Sequence, residues 1–291
     1  MSTRHPIVVV TGSSGAGTTT VKNTFQQIFR REGVNAAYIE GDAFHRYDRQ
    51  GMKRAIAESE AAGNSHFSHF SPQANLLVEL GAVFREFAVS GTGRTRTYVH
   101  NEAEAQEHGV PVGTFTDWRS LDTGADVLFY EGLHGAAVTD DIDLAQFGDL
   151  KIGVVPVVNL EWIQKLYRDK NSRHHSPEDI TETILRRMPD YVRTICPQFT
   201  KTDINFQRVP MVDTSNPFIA RTIPSPDESM VIIRFRDPHG IDFPYLVTMI
   251  HGSFMSRANS IVIPGGKLDI AMQLILTPFI RRLVENARRA A

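Results

Sequence analysis

Apolar and polar positions form blocks along the chain that predict strands and helices in alternation. Residues 5–11 are an apolar, largely β-branched run, which is typical of a strand buried on both faces. Residues 20–30 then carry apolar side chains at helical spacing, and residues 34–40 return to a strand-like run. The same patterns predict strands at 126–132 and 151–158, and helices at 50–63, 72–87, 159–169 and 177–194.

The pattern changes beyond about residue 209. Short apolar runs separated by prolines predict strands at 209–212, 230–235 and 245–250, and an amphipathic helix follows at 268–287. Alternating strands and helices predict a mostly parallel sheet, to which the late strands add antiparallel neighbours. We therefore expect one α/β domain over residues 1–291.

Two polar segments interrupt these elements. The glycine–arginine segment 91–100 is predicted to be a loop edged by a strand. Residues 170–177 are rich in histidine and end at a proline, a composition typical of a lid. With its flanks, the predicted mobile lid covers about residues 165–180.

Composition narrows the class of protein. The chain has 291 residues, 41% of them hydrophobic and 22% charged, as in an ordinary globular protein. A net charge of −2 gives no general attraction to nucleic acid or to an anionic membrane. Because Cys196 is the single cysteine, an intramolecular disulfide is excluded. With no signal peptide before the first strand and no apolar stretch of membrane-spanning length, a cytoplasmic protein is expected.

The glycine-rich segment after the first strand matches the phosphate-binding pattern G-x-x-x-x-G-K-[ST], except that Thr18 stands in place of the lysine. Glycines let backbone N–H groups turn inward, and the following helix N-terminus adds partial positive charge. The fold predicted is a P-loop NTPase-like, doubly wound mixed β-sheet flanked by helices, as in nucleoside monophosphate kinases. The candidate ATP-binding residues are Gly12, Ser13, Ser14, Gly15, Ala16, Gly17, Thr18, Thr19 and Thr20.

The missing lysine leaves an alternative open, a glycine turn that binds nothing. The nucleotide interpretation needs a replacement cation, and Lys165, Arg168 and Arg173 are the candidates. A solvated helix surface is the plainer interpretation of those three residues. The hydroxyl of Thr18 or Thr19 remains available to Mg²⁺.

Two acids follow predicted strands. Asp42 and Glu131 would both face the crevice at the carboxyl ends of parallel strands. Glu131 is where a strand-end acid usually holds Mg²⁺, and Asp42 is where a general base for an acceptor hydroxyl could lie. Each could instead be a surface acid or a helix cap.

Basic residues cluster after Asp42 and favour an anionic small substrate, because arginine grips phosphate with two parallel hydrogen bonds. A solvated basic face is the alternative. The cluster consists of His45, Arg46, Arg49, Lys53 and Arg54.

Other motifs are interpreted as chance matches. Residues 200–203 fit the [NT]-K-x-D pattern for guanine, but no apolar strand leads into them. The pairs His66/His69 and His174/His175 lack the cysteines or regular spacing of a metal site, and surface or phosphate-facing roles are expected.

Together with the P-loop, several segments resemble the bacterial phosphoribulokinases over nearly the whole length. The P-loop alone would be shared with uridine kinases and many others, whereas these segments are specific to the family. They are residues 40–45, 93–100, 130–134, 159–165, 202–208 and 256–260.

The resemblance implies ATP-dependent phosphorylation of the C1 hydroxyl of D-ribulose 5-phosphate in the Calvin cycle. By matching position, Asp42 would be the base, and Asp169 and Glu131 the acids associated with Mg²⁺ and catalysis. Lys165 and Arg168 would stabilise phosphate charge. The residues that would contact the sugar phosphate are His45, Arg49, Lys53, Tyr98, His100 and Arg173.

Regulation is also implied by the resemblance. Bacterial members lack the P-loop lysine, are activated by NADH and inhibited by AMP, and form octamers. Arg31, Arg234 and Arg257 match positions associated with NADH. Plant members are switched off by a disulfide with one cysteine in the P-loop, where this chain has Ala16.

Two other functions remain as alternatives. A uridine-kinase-like enzyme would share the P-loop and the strand-end base, but its acceptor carries no phosphate that would need His45, Arg49, Lys53 and Arg173. A non-catalytic nucleotide-binding regulatory protein would have no use for a base at Asp42.

Overall fold

The computed structural model describes residues 4–13, 18–173, 176–220 and 222–290. The strands are β1 Ile7–Gly12, β2 Ala36–Glu40, β3 Arg94–Thr95, β4 Arg119–Ser120, β5 Val127–Gly132, β6 Leu150–Pro156, β7 Ile204–Pro210, β8 Ser229–Phe235, β9 Phe254–Arg257 and β10 Ser260–Pro264. The helices are α1 Thr18–Glu32, α2 Arg49–Ala61, α3 Leu77–Ser90, α4 Glu102–His108, α5 Val158–Arg173, α6 Pro177–Asp190, α7 Phe243–Met249 and α8 Leu268–Ala290.

Eight strands of the described chain form one mixed sheet in the order β2-β5-β1-β6-β7-β8-β10-β9. The first five are parallel, and β8, β10 and β9 continue the sheet with antiparallel pairs. The chain leaves β1 toward β2 on one side and later returns to β6 on the other. Ligands of open α/β sheets bind at such a switch point, outside the carboxyl ends of the strands.

Strand β1 lies at the centre of this arrangement. Val8 and Val10 pack on the face covered by α1 and α8, whereas Ile7 and Val9 pack on the face covered by α3. Because both faces are apolar, the run has no polar alternation, and the prediction of a doubly buried strand is confirmed.

The predicted helix 72–87 is divided in two. Residues Pro72–Ala74 form a 3₁₀ turn, and α3 begins only at Leu77. Asn75 between them is extended, with φ −128° and ψ 156°. Ser71 does not cap the turn with its side chain; its hydroxyl bonds Asp190 instead. Helical spacing was correct for α3, but it could not reveal that Asn75 has other partners.

The predicted strand 245–250 is wrong, because this segment lies in helix α7. Asp242 caps that helix by accepting a hydrogen bond from the N–H of Tyr245 at 2.9 Å, and a proline follows in its first turn. Leu246 and Ile250 are buried four residues apart, which is a helical spacing. The cap and the proline outweighed the β-branched residues.

The predicted strand 209–212 is misplaced. The observed strand β7 ends at Pro210 and pairs in parallel with β6, with Ile204 and Phe206 in the core. Antiparallel pairing therefore begins with β8.

The predicted lid segment is largely helical. Helix α5 continues to Arg173, and α6 begins at Pro177 with Ser176 as its cap. Residues 174 and 175 lie outside the described residues. In the ranges that the structure describes, no helix combines the length and apolar character needed to cross a bilayer.

Candidate active site

The carboxyl ends of β1, β2 and β5 meet at one edge of the sheet. In the strand register Glu131 of β5 pairs with Val10 on one side and Glu40 on the other. Asp42 follows β2 directly, in a 3₁₀ turn over Gly41–Phe44. The sheet therefore brings both predicted acids to the end of β1, where the predicted P-loop starts.

The two strand ends can approach closely because both carry glycine. A Cβ added to Gly41 would lie 2.8 Å from the Cα of Gly132 and 2.7 Å from the hydroxyl oxygen of Tyr130. Tyr130 is fully buried, and burial raises the pKa of its hydroxyl. The turn that carries Asp42 is thus packed directly against the end of β5.

Two histidines hold the carboxylate of Asp42. The Nε2 atom of His45 lies 3.1 Å from Oδ1 of Asp42, and the Nε2 atom of His100 lies 3.3 Å from Oδ2. Burial would raise the pKa of Asp42, but hydrogen bonds from His100 and His45 outweigh burial and hold that pKa well below its usual value. The bond to Asp42 also raises the pKa of His100.

Tyr98 joins this group. Its ring centroid lies 4.8 Å from that of His100 and 6.4 Å from that of His45. Three of the predicted substrate residues, from two distant segments of the chain, therefore lie together at the predicted base.

Arg96 fixes the turn that carries Asp42 and His45. Its guanidinium donates to the carbonyl of Ala43 at 2.8 Å and to the carbonyl of His45 at 2.7 Å. It also stacks on Phe115, with 3.6 Å from Cζ to the ring centroid. The pattern of the segment 91–100 predicted a loop but gave no sign of this contact.

Arg49 and Lys53 are exposed and lie one turn apart on α2, so they share a face. The backbone N–H of Arg49 bonds the carbonyl of Gly113 at 2.8 Å, which anchors the start of the helix. Arg46, by contrast, donates to the carbonyls of Gln73 and Asn75. Of this basic cluster, Arg46 therefore has a structural role in the turn.

A buried charged cluster lies behind the end of β1, and the sequence analysis missed its acid. Glu161 and Lys165 are one turn apart on α5 and only 7% and 6% exposed. Burial raises the pKa of Glu161 to about 7, although the charges of Arg187 and Lys165 lower it in part. The predicted replacement cation Lys165 is therefore buried near an acid, not exposed on a solvated helix surface.

Several predicted residues cannot be located. Ser14, Gly15, Ala16 and Gly17 lie outside the described residues. Thr18 and Thr19 open helix α1 and Thr20 is exposed, but the side chains of Thr18 and Thr19 lie outside the described part. The same holds for the side chains of Arg168, Asp169 and Arg173.

Of the three predicted Mg²⁺ ligands, Glu131 is the one whose side chain lies within the described part of the structure. No group of three or more His, Cys, Asp or Glu residues suited to a metal occurs within that part of the chain. Mg²⁺ is usually held by one or two carboxylates together with substrate phosphates and water. A single half-buried carboxylate at the end of β5, beside β1, fits this chemistry.

Two of the three predicted effector arginines lie on either side of the same residue. Ser260 on β10 pairs with Arg234 of β8 on one side and with Arg257 of β9 on the other. Arg31 lies elsewhere, on α1, where it donates to Gln273 and Thr277 of α8 at 2.7 and 2.6 Å.

The remaining motifs have structural partners. The carboxylate of Asp203 accepts from the backbone N–H of Lys151 at 2.8 Å and bonds Arg236, so the guanine-like pattern is used within the fold. His66 is exposed, whereas the ring of His69 packs 4.4 Å from that of His45. Burial and the charge of His45 keep the pKa of His69 well below its usual value.

Relatives with known names match the whole chain. The chain is 68% identical over 290 residues to a phosphoribulokinase of Nitrobacter vulgaris and 67% identical to one of Xanthobacter flavus, covering 100% of both chains in each case. The solved structure of phosphoribulokinase from Rhodobacter spheroides superposes with a TM-score of 0.91 at 62% identity, covering 99% of this chain and 100% of that one. The predicted P-loop NTPase-like fold is thereby confirmed.

The family model named phosphoribulokinase / uridine kinase matches residues 7–215, which include β1, the Asp42 turn, Glu131 and α5. The resemblance drawn from the sequence motifs is confirmed by this match and by the full-length relatives. The chain belongs to the phosphoribulokinase / uridine kinase family.

Proposed function

We propose that this protein transfers the γ-phosphoryl group of ATP to the C1 hydroxyl of D-ribulose 5-phosphate, giving D-ribulose 1,5-bisphosphate and ADP, as the Calvin cycle requires. The observation that carries the proposal is the Asp42 carboxylate held between His45 and His100 at the carboxyl edge of the sheet. The family membership supports the same reaction. The cytoplasm is the proposed location.

Asp42 is the proposed base. Because the bonds from His45 and His100 keep its pKa low, the carboxylate is ionised at neutral pH and can accept the C1 hydroxyl proton. The turn Gly41–Phe44, clamped by Arg96 and packed on Gly132, holds that carboxylate in place.

The acceptor phosphate is the feature that separates this substrate from a nucleoside. His45, Tyr98 and His100 surround Asp42, and Arg49 and Lys53 present two cations on one face of α2. We assign all five, with Arg173, to the sugar phosphate. Such a basic set would be superfluous for uridine.

ATP would bind at the turn after β1, with its phosphates toward the N-terminus of α1. Phosphoryl transfer depends on positioning and on neutralising phosphate charge, which we assign to Lys165 and Arg168. Glu131, with Asp169 and Thr19, would hold Mg²⁺, which supplies further positive charge on the phosphates when bound.

The direct test measures ADP release with MgATP and either D-ribulose 5-phosphate, uridine or no acceptor. The proposal predicts turnover with ribulose 5-phosphate alone. Turnover with uridine would favour the nucleoside-kinase alternative, and ATP binding without turnover would favour a regulatory protein.

Asp42→Asn tests the base. The substitution should lower kcat by about 10²–10⁴-fold and leave ATP binding nearly unchanged, because it removes only proton acceptance. Asp122→Asn is the matched control, since Asp122 is an exposed acid before the amino end of β5. Near-normal turnover of Asp42→Asn would remove Asp42 from this role.

We propose in addition that NADH activates the enzyme. The neighbouring positions of Arg234 and Arg257 across Ser260 support an anion site there, whereas Arg31 lies on a different element. Arg234→Gln and Arg257→Gln should abolish the rise in turnover with NADH and preserve basal turnover. Activation that survives both substitutions would refute this assignment.

We also propose that the chain forms homo-oligomers, with the octamer as the expected size. Strand β9 is the edge of the sheet and exposes Phe254 and Met255, a surface that another copy could cover. Light scattering of the purified protein measures the mass, and a monomer would refute the proposal.

A further inference from the structure

Asn75 is a buried amide whose orientation is fixed by its surroundings. It is 4% exposed. Its Nδ2 atom donates to the carbonyl of His69 at 3.0 Å and to the carbonyl of Ser71 at 2.9 Å. Because carbonyl oxygens only accept, the amide nitrogen must face them, and the Oδ1 atom must face the other way.

The Oδ1 atom of Asn75 faces the ring of His45. It lies 2.8 Å from Nδ1 of His45, and both side chains are buried. Since the amide oxygen can only accept, His45 must carry a proton on Nδ1. The other ring nitrogen, Nε2, lies 3.1 Å from the carboxylate of Asp42, so the ring is oriented between two acceptors.

We propose that Asn75 is a positioning residue that fixes the orientation of the His45 ring: its Oδ1 atom accepts a hydrogen bond from Nδ1, so that Nε2 faces Asp42. This inference rests on the proposed role of Asp42 as the base. It places Asn75, His45 and Asp42 in one line of hydrogen bonds. The acceptor on one side of the ring, Asn75, decides which ring nitrogen of His45 faces Asp42 on the other side.

The backbone is built for this contact. His45 and Asn75 form an isolated antiparallel bridge, flanked by bonds from Arg46 N–H to the carbonyl of Ala74 at 2.9 Å and from Leu76 N–H to the carbonyl of Phe44 at 2.7 Å. Asn75 is extended at a point where the spacing of apolar residues favours helix. Because the helix is interrupted at Asn75, the side-chain amide of Asn75 reaches His45.

The other groups around His45 leave Asp42 as its acidic partner. Burial lowers the pKa of His134 to about 4 and keeps that of His69 well below its usual value, so both rings are neutral at pH 7. The Nε2 atom of His134 lies 3.2 Å from the carbonyl of His69. The titratable and charged groups facing the site from each packed element are Asp42, His69, Arg96, Tyr98, His100, Tyr130, His134 and Arg187.

The proton on Nδ1 can be measured without any turnover. Protein labelled with ¹⁵N-histidine gives ring-nitrogen shifts that show whether each nitrogen carries a proton, and His45→Gln identifies the His45 signals among the eleven histidines. In the unliganded wild-type protein, Nδ1 of His45 should carry a proton, the one that it donates to Oδ1 of Asn75. An Nδ1 atom without a proton would overturn the proposal. This result needs no variant of Asn75 and does not depend on the substrate, so it separates this inference from the proposed function.

Kinetics then test the consequence. Asn75→Ala should lower kcat/KM for ribulose 5-phosphate by roughly 10- to 100-fold, the scale seen when a partner that orients a metal-ligating histidine is removed. The KM for ATP should stay within about twofold. The acid limb of the kcat/KM profile should also move to higher pH in Asn75→Ala, because a reoriented His45 no longer lowers the pKa of Asp42.

Asn205→Ala is the matched control. Asn205 is also buried, accepts from Thr202 at 2.6 Å and donates to the carbonyl of Phe199 at 2.9 Å, but it lies near the amino end of β7. It should lose stability and keep the wild-type pH profile. An Asn75→Ala profile of wild-type shape, merely reduced in height, would show a structural role only and overturn the proposal.

Discussion

Gly41 and Gly132 pack so closely that a side chain on either one would collide with the other's backbone. A Cβ on Gly132 would lie 2.7 Å from the Cα of Gly41, and Tyr130 fills the remaining space. We expect Gly41→Ala to reduce the free energy of unfolding by about 1–3 kcal/mol, as overpacking does, and to lower kcat by displacing Asp42.

Gly63→Ala is the control for this change. Gly63 has φ +87° and open space around it, so alanine there costs about 1 kcal/mol of backbone strain. Urea unfolding and turnover should show that Gly63→Ala loses stability alone. Equal kcat for wild type and Gly41→Ala would contradict the role of the close contact.

His100→Gln should move the acid limb of kcat/KM to higher pH. Burial by itself raises the pKa of Asp42, and bonds from His100 and His45 lower it further than burial raises it. Removing His100 therefore raises the pKa of Asp42, and the carboxylate becomes protonated at a higher pH. The exposed His251 provides the control His251→Gln. An acid limb that stays in place would argue against ionised Asp42 as the active form.

Arg96→Lys should lower kcat/KM by roughly 10-fold. Lysine keeps the charge, but it cannot make both carbonyl bonds and also stack flat on Phe115. The turn with Asp42 and His45 would lose its clamp. The control is Arg94→Lys, because Arg94 is an exposed neighbour that contacts only the ring of Trp118 among these groups, at 5.1 Å. Equal effects of both substitutions would contradict a specific clamp.

Glu161→Gln should flatten the dependence of stability on pH. Burial raises the pKa of Glu161 from 4.5 to about 7, so between these values the folded protein binds a proton that the unfolded chain has released. Wild-type stability attributable to Glu161 therefore falls as pH rises through this window, by on the order of 3 kcal/mol. Urea unfolding from pH 5 to 8 should show the smaller slope in Glu161→Gln, with the exposed Glu58→Gln behaving as wild type. Identical slopes in all three proteins would contradict this shift.

The sequence predicted the structure best where the residue pattern of a short segment matches its place in the fold. Strand β1 is apolar on both faces and is followed by glycines, so its central place in a parallel sheet could be predicted. Asp42 and Glu131 were located because parallel strands end at the same edge.

Other features depend on contacts between distant segments. Asn75 joins His45 across thirty residues, and Arg96 reaches carbonyls more than fifty residues away. No periodicity encodes such pairs. The one available signal was an asparagine inside an apolar helical pattern, where its side chain competes with the backbone for hydrogen bonds. Helix α7 was mistaken for a strand because β-branched residues were weighed above the Asp-Phe-Pro start of a helix.

The order of the strands also sets a distance. Arg234 and Arg257 lie three and five strands from β1, about 14 and 24 Å across the sheet at the usual spacing between strands. Arg234 is also opposite Asn205, near the amino end of β7, whereas Asp42 lies beyond the carboxyl end of β2. A small molecule held by this arginine pair would be too far away to touch a nucleotide at β1. Its binding could reach the nucleotide only through a displacement of whole strands or of α8. Because β6 and β7 lie between the two places, binding should change the amide hydrogen-exchange rates of these two strands.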